Sequence, residues 1–147
     1  MELRNGDAAP TLITGVTCDD GEWHHLALCA AVDDSGFNMV VASIFLDGRE
    51  VGNSRRDNAS EPTAVLRSVL VSGDPVLGPG AGFDGDVDNL RLSRGRRYLS
   101  AFTPNRSLAD DADTVAFFPL DADLASSDGS FVLSGSSGSV RFRHACP

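Results

Sequence analysis

The chain has 147 residues, with 15 glycines, 7 prolines and a 41% hydrophobic fraction, which suits one globular domain built from short elements around a real core. Its 21 acidic residues outnumber 12 basic ones, all of them arginine, for a net charge of −9; that balance excludes the concentrated basic face on which nucleic-acid phosphates bind. No apolar run approaches the ~20 residues of a membrane-spanning helix, and the opening Met1-Glu2-Leu3-Arg4 lacks the basic start and apolar stretch of an export signal, so the chain is expected either to be cytoplasmic or to be an internal piece whose signal lies upstream.

Along the chain, Thr11 to Thr17 alternates Leu12, Ile13 and Val16 with small polar residues, and Asp19-Asp20-Gly21-Glu22 breaks the run before Trp23 to Val32. The pair predicts a hairpin. Period-2 counting places Trp23, His25 and Cys29 on one face of the second strand and His24, Leu26 and Leu28 on the other. With both faces largely apolar, that strand is expected to be central, with Trp23 and Cys29 in the core. Asp33-Asp34-Ser35-Gly36 predicts a turn, and Asn38 to Leu46 a strand buried on both faces.

Asp47-Gly48 then separates Ile44-Phe45-Leu46 from Arg49-Glu50-Val51-Gly52. An Asp-Gly pair between extended runs predicts a type I′ hairpin, whose two central residues both need positive φ. Further on, 53–62 reads as a polar loop, Ala64 to Val71 as a strand, and 72–82, with Pro75, Pro79 and four glycines, as an irregular connection. Asp86 to Ser93 is the next predicted strand, followed by a basic and aromatic loop to Pro104. Thr114 to Leu120 is another, with Pro119 marking an end or an edge. Weaker strands are expected near Phe131 to Leu133 and Val140 to Phe142. Eight or nine short strands without a helix predict an all-β antiparallel sandwich or jelly roll as a single domain over 1–147.

The chemistry-bearing residues narrow the function by elimination. The four glutamates, Glu2, Glu22, Glu50 and Glu61, share no strand, no Gly-x-Ser-x-Gly elbow occurs, and three histidines do not assemble a triad. His24-His25 lies on a strand instead of showing the helical spacing of a zincin, and a structural core or interface role is expected for at least one of them, with ligand binding as the alternative. Cys18, Cys29 and Cys146 are too few and too unevenly spaced for a zinc site or a disulfide framework. Asp84, Asp86 and Asp88 open like an EF-hand loop, but Asn89 stands where its glycine belongs and Gly95 where its bidentate glutamate belongs. Asp88, inside the predicted strand, is expected to serve the fold by accepting backbone hydrogen bonds. Solvated turn positions are expected for Asp84 and Asp86; the alternative is a calcium ion held between loops by these two together with Asp33 and Asp34. Tyr98 and Phe102, in a loop with Arg96 and Arg97, are candidates for a ligand-contacting surface. Asn58-Ala59-Ser60 and Asn105-Arg106-Ser107 fit the N-glycosylation acceptor pattern, a pattern short enough to arise by chance.

The order Trp23-His24-His25-Leu26-Ala27-Leu28, Ile44-Phe45-Leu46-Asp47-Gly48, Gly82-Phe83-Asp84-Gly85-Asp86-Val87-Asp88-Asn89-Leu90-Arg91-Leu92-Ser93 resembles the laminin-G-like, concanavalin A-like lectin/glucanase jelly roll. Arg97-Tyr98, Phe102-Thr103-Pro104 and Asp113 to Asp121 resemble the segments that follow in that family. The resemblance covers 10–121, and 122–147 is a tail with weak strands. The family carries several strands before its Trp-x-His strand, so the chain resembles such a domain without its opening strands, and the tail segment Asp128 to Gly135 is similar to an early strand. The resemblance implies a non-catalytic binding or adhesion module of a larger extracellular or cell-surface protein, with other domains of that chain as neighbours. It recognises carbohydrate or an extracellular protein through rim loops carrying Arg97, Tyr98 and Phe102, and calcium binding is common among its relatives. The alternative is a ligand-free structural spacer. Glucanases of this fold use two glutamates on one strand about 5 Å apart, and that signature is missing, so the chain is expected not to be an enzyme.

Overall fold

The computed structural model describes residues 2–3, 11–12, 20–33, 39–57 and 86–133. Every regular element among them is a β-strand, and every pairing is antiparallel. Contacts gather the chain into two compact units, one of Met1–Leu70 with Gly95–Pro104, the other of Val71–Arg94 with Asn105–Pro147. The chain therefore leaves the first unit, returns to it for ten residues, and leaves again.

In the first unit, β1 (Glu2–Leu3) pairs with β2 (Thr11–Leu12). This corrects the expected pairing of Thr11 to Thr17 with the strand after it, for the two residues of that run that are described. The partner is a two-residue segment, too short to show any alternation. The main sheet has the order β3 (Leu26–Asp33), β4 (Met39–Leu46), β5 (Arg49–Asp57). The β3–β4 register runs unbroken from Leu26↔Leu46 to Asp33↔Met39. The expected Asp33 to Gly36 turn falls largely on residues outside the described ones.

Strand β4 is central and is buried on both faces from Ala42 to Phe45, with Ile44 and Phe45 at 1% and 0% exposure. Strand β3, expected to be central, has one strand neighbour among the described residues. Along it Cys29 is buried and Ala27, Leu28 and Ala31 are half-buried, while Leu26 and Ala30 are exposed. Cys29 is a buried free thiol, as its place in the apolar run suggests.

The Asp47-Gly48 hairpin forms as predicted, with φ of 49° and 79° at the two residues and Leu46 opposite Arg49. A bulge follows at once, since Phe45 faces Glu50 but Ile44 faces Gly52, leaving Val51 as the extra residue. β5 then continues to Asp57, through residues expected to form a loop. Asn53, Ser54, Arg55, Arg56 and Asp57 carry no apolar alternation. They are held extended by pairing with β4, from Ser43↔Asn53 to Met39↔Asp57, so the backbone ladder decides what the side chains do not signal.

In the second unit, β6 (Leu90–Ser93) pairs with β7 (Thr114–Phe118) in a two-stranded sheet, with a bulge that leaves Val115 unmatched. Its core side is marked by Ala116 and Phe118, 4% and 2% exposed. Strand β7 ends before Pro119, as predicted. Strand β6 begins later than expected: Asp86, Val87 and Asp88 are exposed and irregular, and Asn89 at φ 53° sets the chain into the strand. Asp88 is thus outside the ladder, and its carboxylate accepts from the Asn89 side-chain Nδ2 at 2.8 Å, where bonds from backbone N–H groups were expected.

The tail folds back on itself around Asp128-Gly129. The Ser126 amide donates to the Phe131 carbonyl and the Leu133 amide to the Leu124 carbonyl, both at 2.8 Å, with one bridge between Ala125 and Val132. The predicted strands at Ala64 to Val71 and Val140 to Phe142, with Cys18 and Cys146, lie outside the described residues.

Candidate functional site

The best-ordered constellation of polar and aromatic groups surrounds the β4–β5 hairpin. Asp47 sits at the turn with its two carboxylate oxygens in use. Oδ1 accepts from the His25 backbone amide at 2.9 Å, and Oδ2 faces His24 Nδ1 at 2.8 Å. His24 Nε2 lies 2.9 Å from Asp20 Oδ1. A carboxylate only accepts, so both ring nitrogens must carry protons and His24 is an imidazolium. The Asp47 hydrogen bond, then that from Asp20, raises its pKa from 6.5 to about 9. The His24 bond in turn lowers the pKa of both Asp47 and Asp20. The backbone pairing is extended by the Asp47 amide, which donates to the His25 carbonyl at 2.9 Å. Turn, histidine and Asp20 loop are thereby locked together at the end of the main sheet.

Residues 95–104 strap the other side of this hairpin. The Phe102 amide donates to the Gly48 carbonyl at 2.9 Å, and Arg96 Nη2 donates to Ser43 Oγ, deep in β4, at 3.1 Å. Arg96 Nε is buried without a hydrogen-bond partner among the described residues. Tyr98 and Phe102 stack face to face, with centroids 3.5 Å apart and planes 5° off parallel. The His25 ring meets both edge-on, and Phe45 closes the cluster at 6.1 Å from Tyr98 and 5.6 Å from Phe102. His24 thus holds the turn and His25 joins the aromatic cluster, so the structural role expected of at least one of them is filled by both.

The predicted ligand-contacting residues Arg97, Tyr98 and Phe102 are all half-buried in this unit. The stack turns one face of each aromatic ring to the other ring. Trp23 is the reverse case: expected in the core, it is 58% exposed. The correction has a local cause. Strand β3 starts at Leu26, and the Gly21 turn at φ 82° with the Asp20–His24 bond folds residues 20–25 out of the extended path, so strand alternation does not reach back to Trp23. Nearby apolar side chains of the same unit are open too, Leu26 at 48% and Leu99 at 72%. Sequence reasoning missed the His24 clamp because Asp47 is 23 positions from His24; its signal is an acid at the first position of the hairpin turn.

Of the predicted calcium ligands, Asp86 is exposed in the second unit. Asp33 is the last residue of β3, with its side chain outside the described set, and Asp34 and Asp84 lie outside the described residues. Among the described residues, no group of three or more His, Cys, Asp or Glu side chains is placed to hold a metal ion.

The second unit has a shallow hollow of about 170 Å³ beside β7, lined by Asp110, Asp111, Ser127 and Asp128 with strand residues of β7. Its acids accept hydrogen bonds from neighbouring groups. Asp110 accepts from Ser127 Oγ, and Asp111 accepts from the Asp113 amide and Thr114 Oγ1, both at 3.0 Å. Asp128 accepts from Ser126 Oγ, the Ser130 amide and Ser130 Oγ at 2.6, 3.0 and 2.7 Å. These bonds, that from Ser126 first, lower its pKa to about 2.

No family model, curated protein or solved structure matches the chain.

Proposed function

We propose that the chain is a non-catalytic binding or adhesion module of a larger extracellular protein, built on a laminin-G-like jelly roll, and that Trp23 is its main contact residue. The observation that carries this reading is the 58% exposure of the single tryptophan. A large ring left in water forgoes roughly 1.5–3 kcal/mol of burial, and it is the side chain best suited to stack on the apolar face of a sugar. It sits on a fixed base, since the neighbouring His24 is held by two carboxylates, so little ordering entropy is lost when a ligand docks. The order of motifs from Trp23 to Ser93 and the antiparallel sheets support the jelly-roll frame.

Carbohydrate is the ligand class that Trp23 favours, with Arg97, Tyr98 and Phe102 at the hairpin strap as secondary contacts. The spacer reading draws on one specific observation: Tyr98 and Phe102 spend their ring faces on each other. Because tryptophan emission in this chain comes from one site, titration with glycans, with and without calcium, reports on Trp23 directly. A saturable emission change of the native chain with a glycan, together with a heat of binding in calorimetry that is lost in Trp23→Ala, supports the binding module. Silence across the panel supports the spacer.

A further inference from the structure

We propose that Asn105 is an N-glycosylation acceptor. An Asn-x-Ser triplet is a weak signal until it falls on an accessible, irregular surface segment. Asn105, Arg106 and Ser107 are all exposed, and the backbone bends at Arg106 and Ser107 without entering a strand. The Asn105 amide makes no hydrogen bond among the described residues, so modification breaks nothing there. Within its own unit the segment is anchored just downstream, where Arg91 Nη1 donates to the Ala109 carbonyl at 3.0 Å. The triplet is therefore a short exposed bend outside any strand, which a transferase can engage without unravelling a sheet.

In the transfer, Asn105 Nδ2 bonds to C1 of the reducing-end sugar and loses one proton. The bond between C1 and the lipid-linked pyrophosphate breaks, and the lipid pyrophosphate leaves; a lipid-pyrophosphate-linked oligosaccharide is the donor. The glycan adds bulk and hydration to the surface. The inference rests on the extracellular reading above, because only an exported chain meets this donor.

The test separates the two. The full chain, led into the secretory route of a eukaryotic host by an appended signal, is recovered from the medium, released from N-glycans by an amidase in heavy-oxygen water, and cut after arginine. Asn105 falls on the peptide Tyr98 to Arg106 and Asn58 on Asp57 to Arg67, so the two acceptor patterns are read apart. The expected result is the heavy-oxygen label on Tyr98 to Arg106, and its complete loss in Asn105→Gln with unchanged tryptophan emission. An unlabelled Tyr98 to Arg106 peptide from secreted chain, or label on Asp57 to Arg67 alone, overturns the proposal. Because export is imposed, neither result depends on where the chain resides naturally, which the glycan titration and localisation of the native chain address separately.

Discussion

The carbonyl oxygen of Phe102 lies where a side chain on Gly48 would begin: a Cβ built on Gly48 would stand 1.8 Å from it. The same two residues share the 2.9 Å hydrogen bond from the Phe102 amide to the Gly48 carbonyl. Gly48 is thus required twice, by its φ of 79° and by backbone contact that no rotamer change relieves. Left-handed strain and overpacking together give an expected loss of roughly 2–4 kcal/mol for Gly48→Ala. Equilibrium urea unfolding checks it; a loss under 1 kcal/mol would show that the strap is not packed on the turn.

The His24 clamp makes stability depend on alkaline pH. Its folded pKa of about 9 lies above its unfolded value of 6.5, so its contribution is complete below pH 6.5 and disappears as pH rises through 9. The lowered Asp20 and Asp47 act at the other end: their contributions hold above the unfolded value of 3.8 and vanish as pH falls through the folded values. The melting temperature of the native chain is expected to decline between pH 6.5 and 9, and that of His24→Ala to stay flatter. Imidazole proton NMR supplies the direct readout, with His24 titrating near pH 9.

Phe45 is fully buried and touches both rings of the Tyr98–Phe102 stack. Its truncation to alanine empties the centre of the cluster and is expected to cost about 3–5 kcal/mol. Phe102→Leu keeps bulk but removes the stacking geometry, for about 0.5–1.5 kcal/mol. Denaturant midpoints rank the two, and an equal loss from both would contradict Phe45 as the keystone.

Asp128 holds the tail turn through Ser126 and Ser130. Its folded pKa of about 2 lies below the ordinary 3.8, so the turn gains from it above pH 3.8 and loses that gain as pH falls through 2. Asp128→Ala is expected to speed amide exchange at Gly129, Ser130 and Phe131 while leaving β6 and β7 protected, read by hydrogen exchange.

The hairpin was legible because Asp47-Gly48 is a local signal: two adjacent residues set the φ angles, and the apolar runs on each side set the strands. The buried centre of β4 followed from apolar residues on both faces, interrupted by Ser43. What was not legible depends on distance or on the backbone. His24 and Asp47 meet only after the sheet has formed, and the polar end of β5 is extended because β4 pairs with it. Trp23 was misplaced because periodicity counts residues but does not say where a strand starts: β3 opens at Leu26, three residues after Trp23. Tyr98 and Phe102 were found as neighbours in a loop, while their stacking required the strap to close on Phe45.

The central claim is that the exposed Trp23 ring is the contact point of a binding module. Its most direct test is a glycan array probed with the native chain and with Trp23→Ala, each shown by circular dichroism to be folded, in calcium buffer and in chelator. The account predicts saturable binding of the native chain to at least one glycan class and at least about a tenfold weaker response from Trp23→Ala, the change that loss of one stacked ring brings. Equal binding by the two chains, or none by the native chain in either buffer, would contradict it.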